Sequence, residues 1–277
     1  MKIECVAFTH RGLVRPNNED CILCDGWMRS RTMDDTIGFT FESDSSAVRV
    51  FALADGLGGH SSGELASQFA LFRLCSALSD LKAVSEDSLG AVIQEVHKSL
   101  FDFSKAGPTY RGMGATVAGL VVDPAGAVHL FHVGDSRIYR REDRFLQLLT
   151  KDDRLESSEY GAANPNSHAH SSLLQCLGGS SEFSQIAPHV ARFEMSEVPE
   201  TFLLCSDGVS DMISQDEMEE SISDSHGATV RTLFERVRNA GAKDNVSIII
   251  VKISPKPRPP ETTQVPPRGA GLPGGEA

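Results

Sequence analysis

The sequence predicts an α+β sandwich built as one domain, and three observations carry that expectation. Short apolar runs rich in β-branched residues recur along the chain, and several are apolar on both faces, so their sheets must be covered on both sides. Between two of these runs stand two successive amphipathic patterns of helical period, which read as a helix hairpin. The strands come in groups separated by helices, without the regular strand–helix alternation of a parallel sheet. With 277 residues, 40% of them apolar and 23% charged, the chain has an ordinary globular composition and ample length for a core.

In chain order, residues 3–9 and 48–54 read as the first strands. Ser61 and Glu64 make a capping box ahead of Leu65, Phe69, Phe72, Cys75 and Leu78, which predicts the first helix. The stripe Leu89, Ile93, Val96, Leu100 and Phe103 predicts the second. Residues 115–122, 128–133 and 136–141 return to the strand pattern, and the polar, aperiodic stretch 151–172 reads as a surface loop. A strand at 201–205 follows. A third helical pattern, Val230, Leu233, Phe234 and Val237, stops near Gly241, and the last strand spans 246–253. From Ser254 onward the composition changes: seven of the chain's 13 prolines fall in the last 24 residues, with almost no large apolar side chains. Such a segment buries too little surface to offset its ordering entropy. The expected units are a folded domain, 1–253, and a disordered Pro/Gly-rich C-terminal tail, 254–277.

Lys and Arg total 26 against 38 Asp and Glu, a formal net charge of −12, which opposes nucleic acid or anionic lipid as a partner. No stretch approaches the roughly 20 apolar residues that span a bilayer. The first residues also lack a basic segment followed by an apolar one. The expectation is a monomeric cytoplasmic protein. Six cysteines are too sparse for a disulfide scaffold and read as reduced thiols; Cys21 and Cys24, with no second pair to complete a zinc set, read as packed in or beside a strand. Cys5 and Arg11 have the Cys-x5-Arg spacing of thiol phosphatases, but the residues between them lack the glycines that let backbone N–H groups wrap a phosphate. His129 and His132, inside an apolar strand, read as packed or hydrogen-bonded; His168 and His170 read as a solvated pair.

The strongest signal is a recurrence of carboxylates beside glycine at strand ends: Asp55-Gly56, Gly134-Asp135 and Asp207-Gly208. Glu19-Asp20 and Asp244 lie at the corresponding junctions near the two ends of the domain. Convergence of these groups on one site would set carboxylates against one another unless cations or protons neutralise them. All-oxygen donors suit hard octahedral ions, Mg²⁺ or Mn²⁺. Two such ions about 3.5 to 4 Å apart clamp a phosphoryl group and activate water.

The order of these segments resembles the metal-dependent protein phosphatases, the PPM or protein phosphatase 2C type, in their single-domain bacterial form. The resemblance runs from about residue 3 to 253 through VRPNNED (14–20), ADGLGGH (54–60), MGATVAG (113–119), VGDSRIY (133–139), CSDGVSD (205–211) and KDNVS (243–247). It implies a four-layer αββα sandwich, with two mainly antiparallel sheets flanked by helix pairs. It also implies hydrolysis of phosphoserine and phosphothreonine by a metal-bound hydroxide at a dinuclear centre. Carried over residue by residue, Asp55 would bridge the two ions with the Gly56 carbonyl as a further ligand. Asp207 and Asp244 would complete one ion, and Glu19 and Asp20 would serve the other directly or through water. Arg15 matches the phosphate-binding arginine, and Asp135 and Asp211 match positions that hold a weaker third metal in many members. His60, directly after Gly58-Gly59, is the expected proton donor to the leaving oxygen, water being the alternative donor.

The chain also departs from the family pattern. Leu149-Thr150-Lys151-Asp152 begins like the family's LTxDHS, but Asp153 and Arg154 stand where His-Ser is usual, and the flap that follows is short. Expected partners are phosphorylated proteins, together with a cognate serine/threonine kinase that makes them. A regulatory or binding module that keeps the fold without turnover is the alternative, and the intact Asp55, Asp207 and Asp244 argue against it.

Overall fold

The computed structural model describes residues 1–42, 47–58, 61–81, 83–124, 126–155 and 173–255. Strands β1 (Lys2–His10), β2 (Cys21–Cys24), β3 (Trp27–Arg29), β4 (Ile37–Glu42), β5 (Arg49–Ala54) and the short β6 (Gly56–Leu57) lead into a hairpin of α1 (Ser61–Ser79) and α2 (Glu86–Ser104). Then come β7 (Gly114–Ala115), β8 (Val117–Val122), β9 (Val128–Val133), β10 (Arg137–Glu142), β11 (Phe145–Leu148), β12 (Leu177–Gly178), β13 (His189–Phe193) and β14 (Glu200–Cys205). Helices α3 (Asp207–Ser210), α4 (Gln215–Glu220) and α5 (His226–Asn239) precede β15 (Val246–Ser254).

Two six-stranded sheets result, ordered β11-β10-β14-β15-β1-β4 and β13-β9-β8-β5-β2-β3, and their neighbouring strands among the described residues run antiparallel. Side chains that alternate along each strand divide between two cores. Phe51, Leu53, Ala118 and Leu120 of the second sheet meet Ile3, Phe202, Ile249 and Val251 of the first in the core between the sheets. The alternate residues Val50, Ala52, Val121 and Phe131 pack under α1 and α2. On the outer face of the first sheet, Phe8, Leu203, Ile248 and Ile250 pack against Val209, Met218, Val230, Leu233 and Val237 of α3 to α5. Three cores separate four layers, the αββα arrangement that the resemblance implies.

Local signals explain where the helices start. Ser85 accepts a hydrogen bond from the Ser88 backbone N–H, and Ser88 Oγ accepts one from the Ser85 N–H, closing a capping box before α2. Ser225 caps α5 through the Ala228 N–H. α1 begins at Ser61 as expected, although the Ser61 side chain lies outside the described residues. Its buried face, however, is Ala66, Ala70, Leu71, Leu74 and Leu78, whereas Phe72 of the expected stripe is 63% exposed. Small alanines let the helix sit close on the sheet, so the contact face is rotated from the one that the large side chains suggest.

All six cysteines are free thiols, and Cys5 Sγ donates to Cys24 Sγ at 3.5 Å within the inter-sheet core. His129 is buried with Nε2 3.3 Å from Asp123, and His132 stacks on His189, in keeping with their packed reading. Most of the tail, from 256, and the polar loop from 156 to 172, with His168 and His170, lie outside the described residues. Among the described residues no helix is long and apolar enough to cross a membrane.

Candidate metal centre

In an antiparallel pair the end of one strand lies beside the start of its neighbour. The register Cys21↔Ala54 therefore sets Asp20, just before β2, against Asp55, just after β5. His10↔Val246 and Cys205↔Ile248 bring the approach to β15 beside the exits of β1 and β14. Arg137↔Cys205 and Val117↔Val133 bring the β9–β10 corner to the same edge. Carboxylates hundreds of residues apart thus gather at one rim of the sandwich.

Each is held by named contacts. Thr116 Oγ1 accepts from the Asp55 backbone N–H at 3.2 Å, and the Thr116 N–H donates back to the Asp55 carbonyl at 2.9 Å. The Glu19 carbonyl accepts from Ser67 Oγ of α1 at 2.6 Å and from the Gly56 N–H at 3.2 Å. A Cβ at Gly63 would fall 2.0 Å from Glu19 Oε2 and 2.8 Å from the Gly56 carbonyl oxygen, so only glycine in the first turn of α1 leaves room for both donors. Gly208 is equally constrained, since a Cβ there would meet the Asn245 carbonyl at 1.8 Å; the start of α3 lies against Asp244-Asn245 and carries Asp207 there. Asp20 is fully buried, and its Oδ2 accepts from Ser206 Oγ at 2.8 Å. Arg15 donates to Asp244 Oδ2 at 2.6 Å and keeps a side chain that is 43% exposed.

The electrostatics follow from this crowding. Burial, and then repulsion from Asp20, Asp207, Asp244 and Asp135, lifts Asp55 well above the usual carboxylate range. Asp20 is pushed up to about 7 by burial, against hydrogen bonds from Ser247 and Ser206. Burial, with Asp135, Asp244 and Asp211 nearby, pushes Asp207 up to about 7 as well. Asp20 Oδ1 and Asp207 Oδ1 are buried and have no hydrogen-bond partner. Buried carboxylate oxygens left in this way call for a proton or a cation. Because Glu19, Asp20, Asp55, the Gly56 carbonyl, Asp207 and Asp244 offer oxygen alone, a hard divalent ion fits them.

Asp135 and Asp211 reach the same rim but meet Arg154: Nε donates to Asp135, NH1 to both Asp211 oxygens at 2.9 Å, and NH2 to Asp207 Oδ2 at 2.9 Å. His60 lies outside the described residues. Sequence reasoning passed over two residues that organise the rim. Asn245 accepts from the Glu19 N–H at 2.7 Å and donates to the Arg11 and Asn17 carbonyls at 3.0 and 2.9 Å; in the sequence it stands inside KDNVS with no role of its own. Ser206 Oγ links Asp20 to the Ser247 N–H, which donates to it at 3.0 Å. The one available signal was their adjacency to Asp207 and Asp244 within the motifs.

The family model described as protein phosphatase 2C matches residues 29–248. The chain is 29% identical over 261 residues to the serine/threonine phosphatase Stp of Listeria monocytogenes serotype 4b (strain F2365), covering 88% of this chain and 93% of that relative. It is 28% identical over 256 residues to the serine/threonine protein phosphatase PstP of Mycobacterium tuberculosis, covering 89% of this chain and 44% of that relative. A crystal structure of the catalytic domain of PstP in complex with two manganese ions superposes with a TM-score of 0.69 at 28% identity, over 92% of this chain and 100% of that one.

Proposed function

The chain belongs to the protein phosphatase 2C family, and from that premise we propose that it is a Mg²⁺- or Mn²⁺-dependent serine/threonine protein phosphatase acting on phosphorylated proteins. The observation that carries the proposal is the pair of buried, partnerless oxygens, Asp20 Oδ1 and Asp207 Oδ1, in a rim of carboxylates that repel one another. Two ions fit that donor set. Asp55 would serve both, with the Gly56 carbonyl as a further ligand; Asp207 and Asp244 would hold one, and Glu19 and Asp20 would hold the other directly or through water. When bound, the ions supply Lewis acidity toward the phosphate oxygens and toward the attacking water.

The rest is work for the chain's own side chains. The planar fork of Arg15 reaches from the rim to Asp244, and its exposed side chain suits two phosphate oxygens, so it orients the ester for in-line attack. The Thr116 clamp keeps the Asp55 backbone in place at the end of β5. His60 is assigned the proton that the serine or threonine oxygen needs on leaving, with water as the other donor. No phosphoenzyme forms on this route. A cytoplasmic monomer that reverses the action of a cognate serine/threonine kinase is the setting these features suit.

The test is phosphate release from a phosphothreonine peptide. Chelation should abolish it, Mn²⁺ or Mg²⁺ should restore it, and Asp55→Ala or Asp207→Ala should lower it by several orders of magnitude. Turnover that persists in chelator-stripped protein would overturn the assignment.

A further inference from the structure

The stretch that leaves β11 crosses the acidic rim and is bracketed from behind. Asp153 exchanges backbone and side-chain hydrogen bonds with Gly134, both at 2.9 Å, and its carboxylate also accepts from Gln175 at 2.8 Å and contacts His189 Nε2 at 2.8 Å. His132 and His189 are stacked, with centroids 4.3 Å apart and planes 6° from parallel, so their in-plane lone pairs do not converge on one ion and the group acts as a bracket. The bracket delivers the next residue, Arg154, whose side chain is only 18% exposed, into the middle of Asp135, Asp207 and Asp211. Its three nitrogens all donate to these carboxylates. A divalent ion seeking Asp135 and Asp211 would have to displace a planar, permanently charged fork that already spans all three groups.

We propose that Arg154 is the resident cation of this end of the rim: its guanidinium stands where a third divalent ion would sit, so the chain takes up two ions and not three, and it positions Asp207 by holding Oδ2, which leaves the buried, partnerless Oδ1 as the oxygen that an ion would take. The proposal rests on the two-ion reading above and deepens it. It also explains why Asp135 and Asp211, which match third-metal positions, remain in a chain that has an arginine between them.

The experiment counts ions. Full-length, chelator-stripped protein is titrated with Mn²⁺, free Mn²⁺ is read by electron paramagnetic resonance, and folding is followed by circular dichroism. Wild type should saturate at two ions per chain. R154A should gain a third, with a Kd on the order of 10⁻⁴ to 10⁻³ M, the range of weak carboxylate sites. D211A, made in the wild-type background, should still bind two, since Asp211 serves the guanidinium. A third ion in wild type, a folded R154A that stays at two, or a loss of one ion in D211A would each overturn the role of Arg154. Fewer than two ions in wild type would overturn the two-ion reading itself, and this inference with it.

Discussion

Replacing Asn245 by alanine should cost both stability and ion affinity. The side chain is 4% exposed and makes three hydrogen bonds that tie the loop bearing Arg15 and Glu19 to the start of β15. At about 1 kcal/mol net for each bond, the variant should lose about 3 kcal/mol. For a domain of this size that is a fall in melting temperature of roughly 6 to 12 °C. Glu19 should also lose its fixed position, and removing a residue that orients metal ligands lowers metal affinity about 10- to 100-fold. Urea unfolding of the stripped chain and calorimetric Mn²⁺ titration measure the two effects separately. Asn245→Asp keeps an acceptor for the Glu19 N–H but loses both donors and adds charge beside Asp244, so it should fare no better than alanine. A loss below about 0.5 kcal/mol, with Mn²⁺ affinity unchanged, would refute the reasoning.

Asp55→Asn should be more stable than wild type when both are stripped and held at pH 8. Burial and its neighbours raise the Asp55 pKa, so its protonated form stabilises the fold below about pH 4 and that contribution is lost as pH rises through the folded value. The difference in melting temperature should therefore vanish toward pH 4 and reverse at pH 8 once Mn²⁺ is added; a wild type that is the more stable when stripped at pH 8 would contradict the account. His60→Ala should slow phosphopeptide hydrolysis by about 10² to 10⁴ fold but affect p-nitrophenyl phosphate, with its better leaving group, far less. Equal losses on both substrates would remove His60 from the proton transfer. Gly119→Ala should cost about 1 to 3 kcal/mol, because its Cβ would lie 2.3 Å from the Phe131 ring and 2.8 Å from Ala52. Urea unfolding at unchanged Mn²⁺ affinity separates this packing loss from damage to the rim.

Legibility followed how much of a residue's fate is local. β8 and β9, buried at every position, read as strands from composition alone, as did the strand-end carboxylates that become the rim. β6, β7 and β12 are two residues each and exist by pairing with one another, so nothing in a short window marks them. β4 carries Ile37, Phe39 and Phe41 at a period of two and was legible, yet its charged flanks masked it. Of the α1 stripe, Leu78 is in the core and Leu65, Phe69 and Cys75 pack against its edge, while Phe72 faces out; Ala66 and Ala70, too small to stand out in the sequence, are fully buried beside them. Arg154 was visible as a departure from a motif, but its meaning needed three carboxylates drawn from β9–β10, α3 and the end of α3, which no spacing in the chain encodes.

The pairing of β1 with β15 has a consequence for biosynthesis. Nine residue pairs, from Lys2↔Ser254 to His10↔Val246, seat the first strand against the last in the first sheet. A chain emerging from the ribosome can form the α1–α2 hairpin and the second sheet early, but its first strand must wait beside an open edge until residue 254 is clear of the exit tunnel. Closing so long a loop adds little entropy beyond that of a shorter one, yet contacts of such sequence separation slow the search for the native state. The carboxylates contributed by Asp20 and Asp244 come together only at that closure. Ion binding therefore reports that every residue from 2 to 254 has emerged and paired, and shorter nascent segments should bind no ion pair.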